Sequence, residues 1–197
     1  MSKDARVFRA SARGGDGARG FLGVLVDSSA SMRLEGGHAE AIRLASALAQ
    51  AVEGLPGVET RLAGYRDDVL LDAGSAGESH LSAVVAGGGN NDAAALDWMG
   101  ACALRVGSGC RVVVWLSDGS PSACSWSALE GCAQRWAGSG VRLVHVLVGG
   151  GEPLPGVPFL RVSPGGGRAS AVRLAELMQA VAMGKHDFGN GRSVDAQ

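Results

Sequence analysis

Lysine is nearly missing from this chain: among 197 residues only Lys3 and Lys185 carry it, and both lie near an end. A GxxxxGK[ST] phosphate loop needs a lysine after its glycines, and none is present, so ATP hydrolysis must come from elsewhere. A GxSxG elbow for a serine nucleophile is absent too, and no histidine is placed by motif to serve as its base. No run approaches the roughly 20 consecutive apolar residues of a membrane span. The N-terminus also lacks the apolar core of a secretory signal, so the expected location is cytoplasmic. Cys102, Cys110, Cys124 and Cys132 match neither CxxC nor zinc-knuckle spacing, and His38, His80, His145 and His186 are scattered. Cys102 and Cys132 fall on apolar helix faces and read as buried free thiols.

Strong charge of either sign is lacking as well. A net charge of −1 argues against a general nucleic-acid or membrane-surface binder. Lys3, Arg6, Arg9, Arg13 and Arg19 nevertheless make residues 1–20 a basic segment, which reads as a solvated tail. Glycine is abundant instead: 32 residues, against an average usage of roughly 7%, call for many tight loops or close approaches. With 46% hydrophobic residues the chain is long enough to bury one substantial core.

Apolar runs at 21–26, 111–116, 141–148 and 159–162 read as strands, with two more near 58–63 and 68–71. Helical periodicity predicts helices over about 38–53, 92–106, 125–137 and 169–183, and a shorter one near 78–85. The stop Gly54-Leu55-Pro56-Gly57 closes the first. Alternating strands and helices imply a three-layer, doubly wound α/β fold, a mostly parallel sheet with helices on both faces, over residues 21–183. Residues 184–197 form a polar tail. Trp98, Trp115, Trp126 and Trp136 read as core, and Gly149-Gly150-Gly151 as a loop, because Pro153 and Pro155 forbid a helix after it.

Two strands end in aspartates, Asp27 and Asp118, and ligands in such folds sit outside the carboxyl ends of the strands. The loop Gly87 to Asp92 precedes a helix and can rise beside them. Two carboxylates, several hydroxyls and an amide are hard oxygen donors, the set that suits Mg2+ or Mn2+. If the stretch after Asp27 stays extended, Asp27, Ser29 and Ser31 face one ion. The plain alternative is that Asp27 starts a turn and Ser28 to Ser31 cap a helix.

Asp27-Ser28-Ser29-Ala30-Ser31 resembles the DxSxS motif of von Willebrand factor A domains, with Ala30 where that family usually has glycine. Gly88-Gly89-Asn90-Asn91 and Leu116-Ser117-Asp118-Gly119 resemble its second and third elements. Asn90 to Trp98 with Ser117 to Pro121 are similar to the C-terminal domain of the T subunit of cobaltochelatase, which works with an AAA+ ATPase ring. The resemblance implies a metal-ion-dependent adhesion site. Ser29 and Ser31 would bind the ion, Asp27 and Asp118 would hold its waters, and Asn90 would offer an amide oxygen. Asp92 would either add a carboxylate through water or cap its helix. A partner protein's Asp or Glu would complete the ion. The implied role is a non-catalytic adaptor beside an AAA+ ATPase of MoxR or chelatase type. A metal-dependent phosphatase with Asp27 as nucleophile, or a structural component of a larger assembly, are the other readings. The former lacks the DxDxT pattern and its lysine.

Overall fold

The computed structural model describes residues 20–53, 55–106 and 109–183. The basic segment up to residue 19 and the tail from 184 lie outside the described residues. Six strands form one sheet: β1 (Gly20–Asp27), β2 (Val58–Arg66), β3 (Val69–Gly74), β4 (Arg111–Ser117), β5 (Val141–Val148) and β6 (Phe159–Val162). Their order is β3-β2-β1-β4-β5-β6, all parallel except the β2–β3 hairpin. Among the described residues four α-helices accompany them: α1 (Gly37–Val52), α2 (Asp92–Arg105), α3 (Trp126–Gly138) and α4 (Gly167–Ala182).

β1 and β4 are central strands, so side chains alternate between two cores rather than between core and water. Leu22, Val24 and Val26 of β1, with Val112, Val114 and Leu116 of β4, meet α1 and α4. Phe21 and Leu25, with Val113 and Trp115, meet α2 and α3 on the other face. Gly23 has no side chain because Met99 of α2 fills its place: a Cβ there would lie 2.5 Å from Met99 Sδ. Trp98, Trp126 and Trp136 pack against the second core, Cys132 is buried in it and Cys102 is half-buried.

The helix expected near 78–85 is not formed. Two 3-10 turns, Ala76–Glu78 and Leu81–Ala83, stand there instead. The His80 N–H goes to Ala73 O at 2.8 Å, tying the segment to β3 where a helix would have used a local carbonyl. Leu81 and Val84 are buried, a spacing that one tight turn satisfies. Both hairpin strands run further than the pattern suggested, to Arg66 and Gly74. Among the described residues no helix is long and apolar enough to cross a membrane.

Candidate metal centre

Strand order reverses between β1 and β4, which opens a crevice at their carboxyl ends. Asp27 is the last residue of β1, and Asp118 follows the last residue of β4. Asp27 is fully buried, whereas Asp118 and Ser31 are half-buried at the mouth.

The stretch after Asp27 is not extended as expected, since Ala30 is in the right-handed helical region at φ −64°. A turn does the aligning instead. Ser29 N–H donates to Asp27 Oδ1 at 2.8 Å, the bond by which an aspartate closes a turn on itself. Ser29 Oγ and Ser31 Oγ are thereby brought to 3.0 Å from each other. The glycine loop is stitched beside them, Gly87 N–H to Ser28 O at 2.7 Å and Ala30 N–H to Gly88 O at 2.8 Å. Gly88 must be glycine: its φ is +69°, and a Cβ would sit 1.9 Å from Asp67 Oδ2.

Asn90 takes a different part from the one the sequence implied. Its Oδ1 accepts Ser122 N–H and Ser122 Oγ–H, both at 2.7 Å. Its Nδ2 faces Asp27 Oδ2 at 3.1 Å and Ser120 O at 3.2 Å. A backbone N–H on one side and two acceptors on the other fix the orientation of the amide. As folded, Asn90 presents N–H to Asp27 rather than oxygen to an ion. Ser122, which the sequence reading passed over, turns it.

Asp92 is not the helix cap. Asn91 is, accepting Ala94 N–H at 3.3 Å, while Asp92 opens α2 with its side chain buried. Tyr65, the one tyrosine in the chain, donates its hydroxyl to Asp92 Oδ1 and accepts Trp115 Nε1–H at 2.7 Å. Tyr65→Phe leaves both partners unsatisfied in a buried place and is expected to cost on the order of 2–3 kcal/mol, measurable by urea unfolding.

The Asp118 turn is braced from β5. Leu154 N–H donates to His145 Nδ1 at 3.2 Å, so the ring proton is on Nε2 and goes to Ser117 Oγ at 2.9 Å. Burial pushes His145 down to about 3, and Arg161 adds to this, so the ring is neutral near physiological pH. It stacks on Trp115 with ring centroids 4.0 Å apart.

Burial pushes Asp27 up to about 6 against the hydrogen bonds from Ser29 and Asn90, and Asp118 adds to the rise. Burial likewise pushes Asp92 up to about 7, the Tyr65 bond opposing and the charges of Asp27 and Asp118 assisting. The charged groups acting on both are carboxylates alone. The donors fit a hard divalent cation in two ways. An octahedron with bonds of about 2.1 Å has edges of about 3.0 Å, which is the separation of the two serine hydroxyls. A cation would also relieve the crowding of Asp27 and Asp118. Asp92 turns Oδ1 to the Tyr65 hydroxyl and Oδ2 to Cys124 Sγ at 4.0 Å. Among the described residues no three His, Cys, Asp or Glu side chains gather as a metal cluster.

No family profile and no curated protein sequence matches the chain. Solved structures do match its fold. The SpRpn10 VWA domain aligns with a TM-score of 0.59 at 12% identity, covering 80% of this chain and 94% of that one. Manganese-loaded TRAP protein of Plasmodium vivax aligns at 0.60 and 16% identity, over 82% of this chain and 72% of that one. Proximal thread matrix protein 1 of the mussel byssus, with a zinc-occupied MIDAS motif, aligns at 0.61 and 15% identity, over 86% of this chain and 46% of that one. The fold is therefore that of a von Willebrand factor A domain.

Proposed function

We propose that this chain is a protein-interaction domain whose contact with its partner runs through a divalent cation, Mg2+ or Mn2+. Ser29 and Ser31 hold the ion directly, and Asp27 and Asp118 hold it through water. Asn90 fixes Asp27, and Asp92 adds negative potential from behind. The ion supplies an electrophilic point on which a partner's Asp or Glu docks. The paired serine hydroxyls at 3.0 Å above a buried aspartate carry the reading. Metal-loaded neighbours of the same fold, one with manganese and one with zinc in a MIDAS motif, support it.

The role is adaptor-like and not catalytic. A phosphatase with Asp27 as nucleophile would carry a DxDxT pattern and a lysine, whereas Ser29 stands at the second position here and the only lysines are Lys3 and Lys185. The partner is an AAA+ ATPase of MoxR or chelatase type, in the cytoplasm. The motive is the Asn90-Asn91-Asp92 variant together with Ser117-Asp118-Gly119-Ser120-Pro121.

An ion at 100 times its Kd adds about 2.7 kcal/mol of stability, which raises Tm by roughly 5–10 °C for a domain of this size. Mg2+ or Mn2+ is expected to do this, Ca2+ less so, and EDTA to reverse it. A Tm indifferent to all three defeats the ion site. Capture of proteins from lysate in Mg2+ and in EDTA then tests the partner, with a chelator-sensitive ATPase subunit as the expected result.

A further inference from the structure

Beside the crevice stand two arginines that the ion site does not use. A methyl group on Gly87 would lie 3.2 Å from Arg66 Nη1 and 3.3 Å from Arg33 Nη2, so the two guanidinium groups converge on one point. Gly87 has an ordinary, negative-φ backbone, so glycine is not demanded there by conformation. What its missing side chain provides is room between the two cations. Its N–H binds Ser28 O, between Asp27 and Ser29, which places the cradle next to the ion site.

Among the described residues neither arginine is in an ion pair. Arg33 donates to Ala86 O. The acids that follow Arg66 are engaged elsewhere, Asp67 by Gly89 N–H at 2.6 Å and Asp68 by Asn91 Nδ2 at 3.4 Å. Two large apolar side chains flank the Arg33–Ala86 bond in the chain, Leu34 at 70% exposure and Val85 at 62%. Leu34 is held out by its backbone: it is extended at ψ 137° between 3-10 turns, followed by Glu35 at φ +52° and Gly36 at φ +81°.

We infer that Arg33 and Arg66 form a second anchoring point, which takes a carboxylate from the same partner segment that reaches the ion. This rests on the ion-bridged reading above. The ligand is a peptide segment with two acidic residues and an apolar residue that covers Leu34 and Val85. Paired guanidinium groups suit a carboxylate's two oxygens, and the adjoining apolar side chains favour a peptide over a free anion.

The test is selection of a random 12-residue peptide display library on the full chain in Mg2+. Enriched peptides are expected to carry two acidic residues and an apolar one. Arg66→Ala is the clean variant, because Arg66 makes no hydrogen bond to the described residues, whereas Arg33→Ala also frees Ala86. It is expected to weaken these peptides about tenfold or more while Mg2+ affinity stays unchanged. Peptides with a single acidic residue, or indifference to Arg66→Ala, would overturn the cradle and leave the ion bridge standing, whereas no acidic enrichment at all would overturn both. Displacement by millimolar inorganic phosphate as effective as by a free acidic peptide would overturn it in favour of an anion site. Binding that survives EDTA but fails in Arg66→Ala would keep the cradle and remove the ion bridge.

Discussion

Asp27→Asn is expected to stabilise the metal-free protein at neutral pH and to weaken its response to Mg2+. The buried carboxylate is raised from the usual 3.8 to about 6. At 1.36 kcal/mol per pH unit the charge costs on the order of 3 kcal/mol above that range. Asparagine keeps an oxygen for Ser29 N–H but turns an amide towards Asn90 Nδ2, losing one bond worth about 1 kcal/mol. The net gain is about 1–2 kcal/mol, or several degrees in Tm.

The sign follows from proton binding. Raised pKa values mean that the native state holds protons more tightly than the unfolded chain, so stability is present at low pH and lost as pH rises. In EDTA the wild type is expected to lose stability between about pH 4 and 7, through Asp27 and then Asp92. The variant should lose less, and the wild type minus variant difference isolates Asp27 from other titrating groups. Mg2+ at pH 7 narrows the difference, because the ion stabilises the wild type more than the variant. Loss of a residue that holds a metal through water lowers affinity about 10–100-fold. Thermal melts across pH, with and without EDTA, read all of this. A variant that is less stable than wild type in EDTA at pH 7.5 would contradict it.

Gly151→Ala is expected to damage both fold and site. A Cβ on Gly151 would lie 1.8 Å from Asp118 O and 3.0 Å from Asp118 C. Both are backbone atoms, so no rotamer change relieves the clash. Overpacking costs typically about 1–3 kcal/mol, and a main-chain collision belongs at the top of that range. The displaced loop carries Asp118, so Mg2+ affinity should fall along with stability. Gly150→Ala is the control, with nothing within 4 Å of its added methyl and no positive φ. It is expected to stay within about 0.5 kcal/mol of wild type. Urea unfolding and Mg2+ titration of the two variants separate the close approach of the β5–β6 loop from a general intolerance of side chains in the Gly149-Gly150-Gly151 run.

Much of this was legible in the chain itself. β5 and β6 carry the expected bounds, and α1 to α4 lie within two residues of theirs, because apolar runs and helical periodicity are local records of a buried sheet and of helix faces. Residues 78–85 were not legible, since Leu81 and Val84 read equally as a helix face and as a pinned turn. Only the bond from His80 to β3 decides between them. Asn90 shows the same limit at the site. Its place at the head of α2 follows from the glycines before it, but the direction of its amide depends on Ser122, thirty-two positions away.

By itself the sequence determined the doubly wound fold, the strand ends that bear Asp27 and Asp118, and the oxygen character of the donors, because each depends on residue type and short-range pattern. Tertiary structure decided the rest: the turn that pairs the Ser29 and Ser31 hydroxyls, the amide that faces Asp27, the burial that raises Asp27 and Asp92, and the convergence of Arg33 and Arg66 on Gly87. Each of those arises where loops from distant parts of the chain meet at one end of the sheet. Desolvation and hydrogen-bond direction there are properties of the assembled crevice and of no single segment.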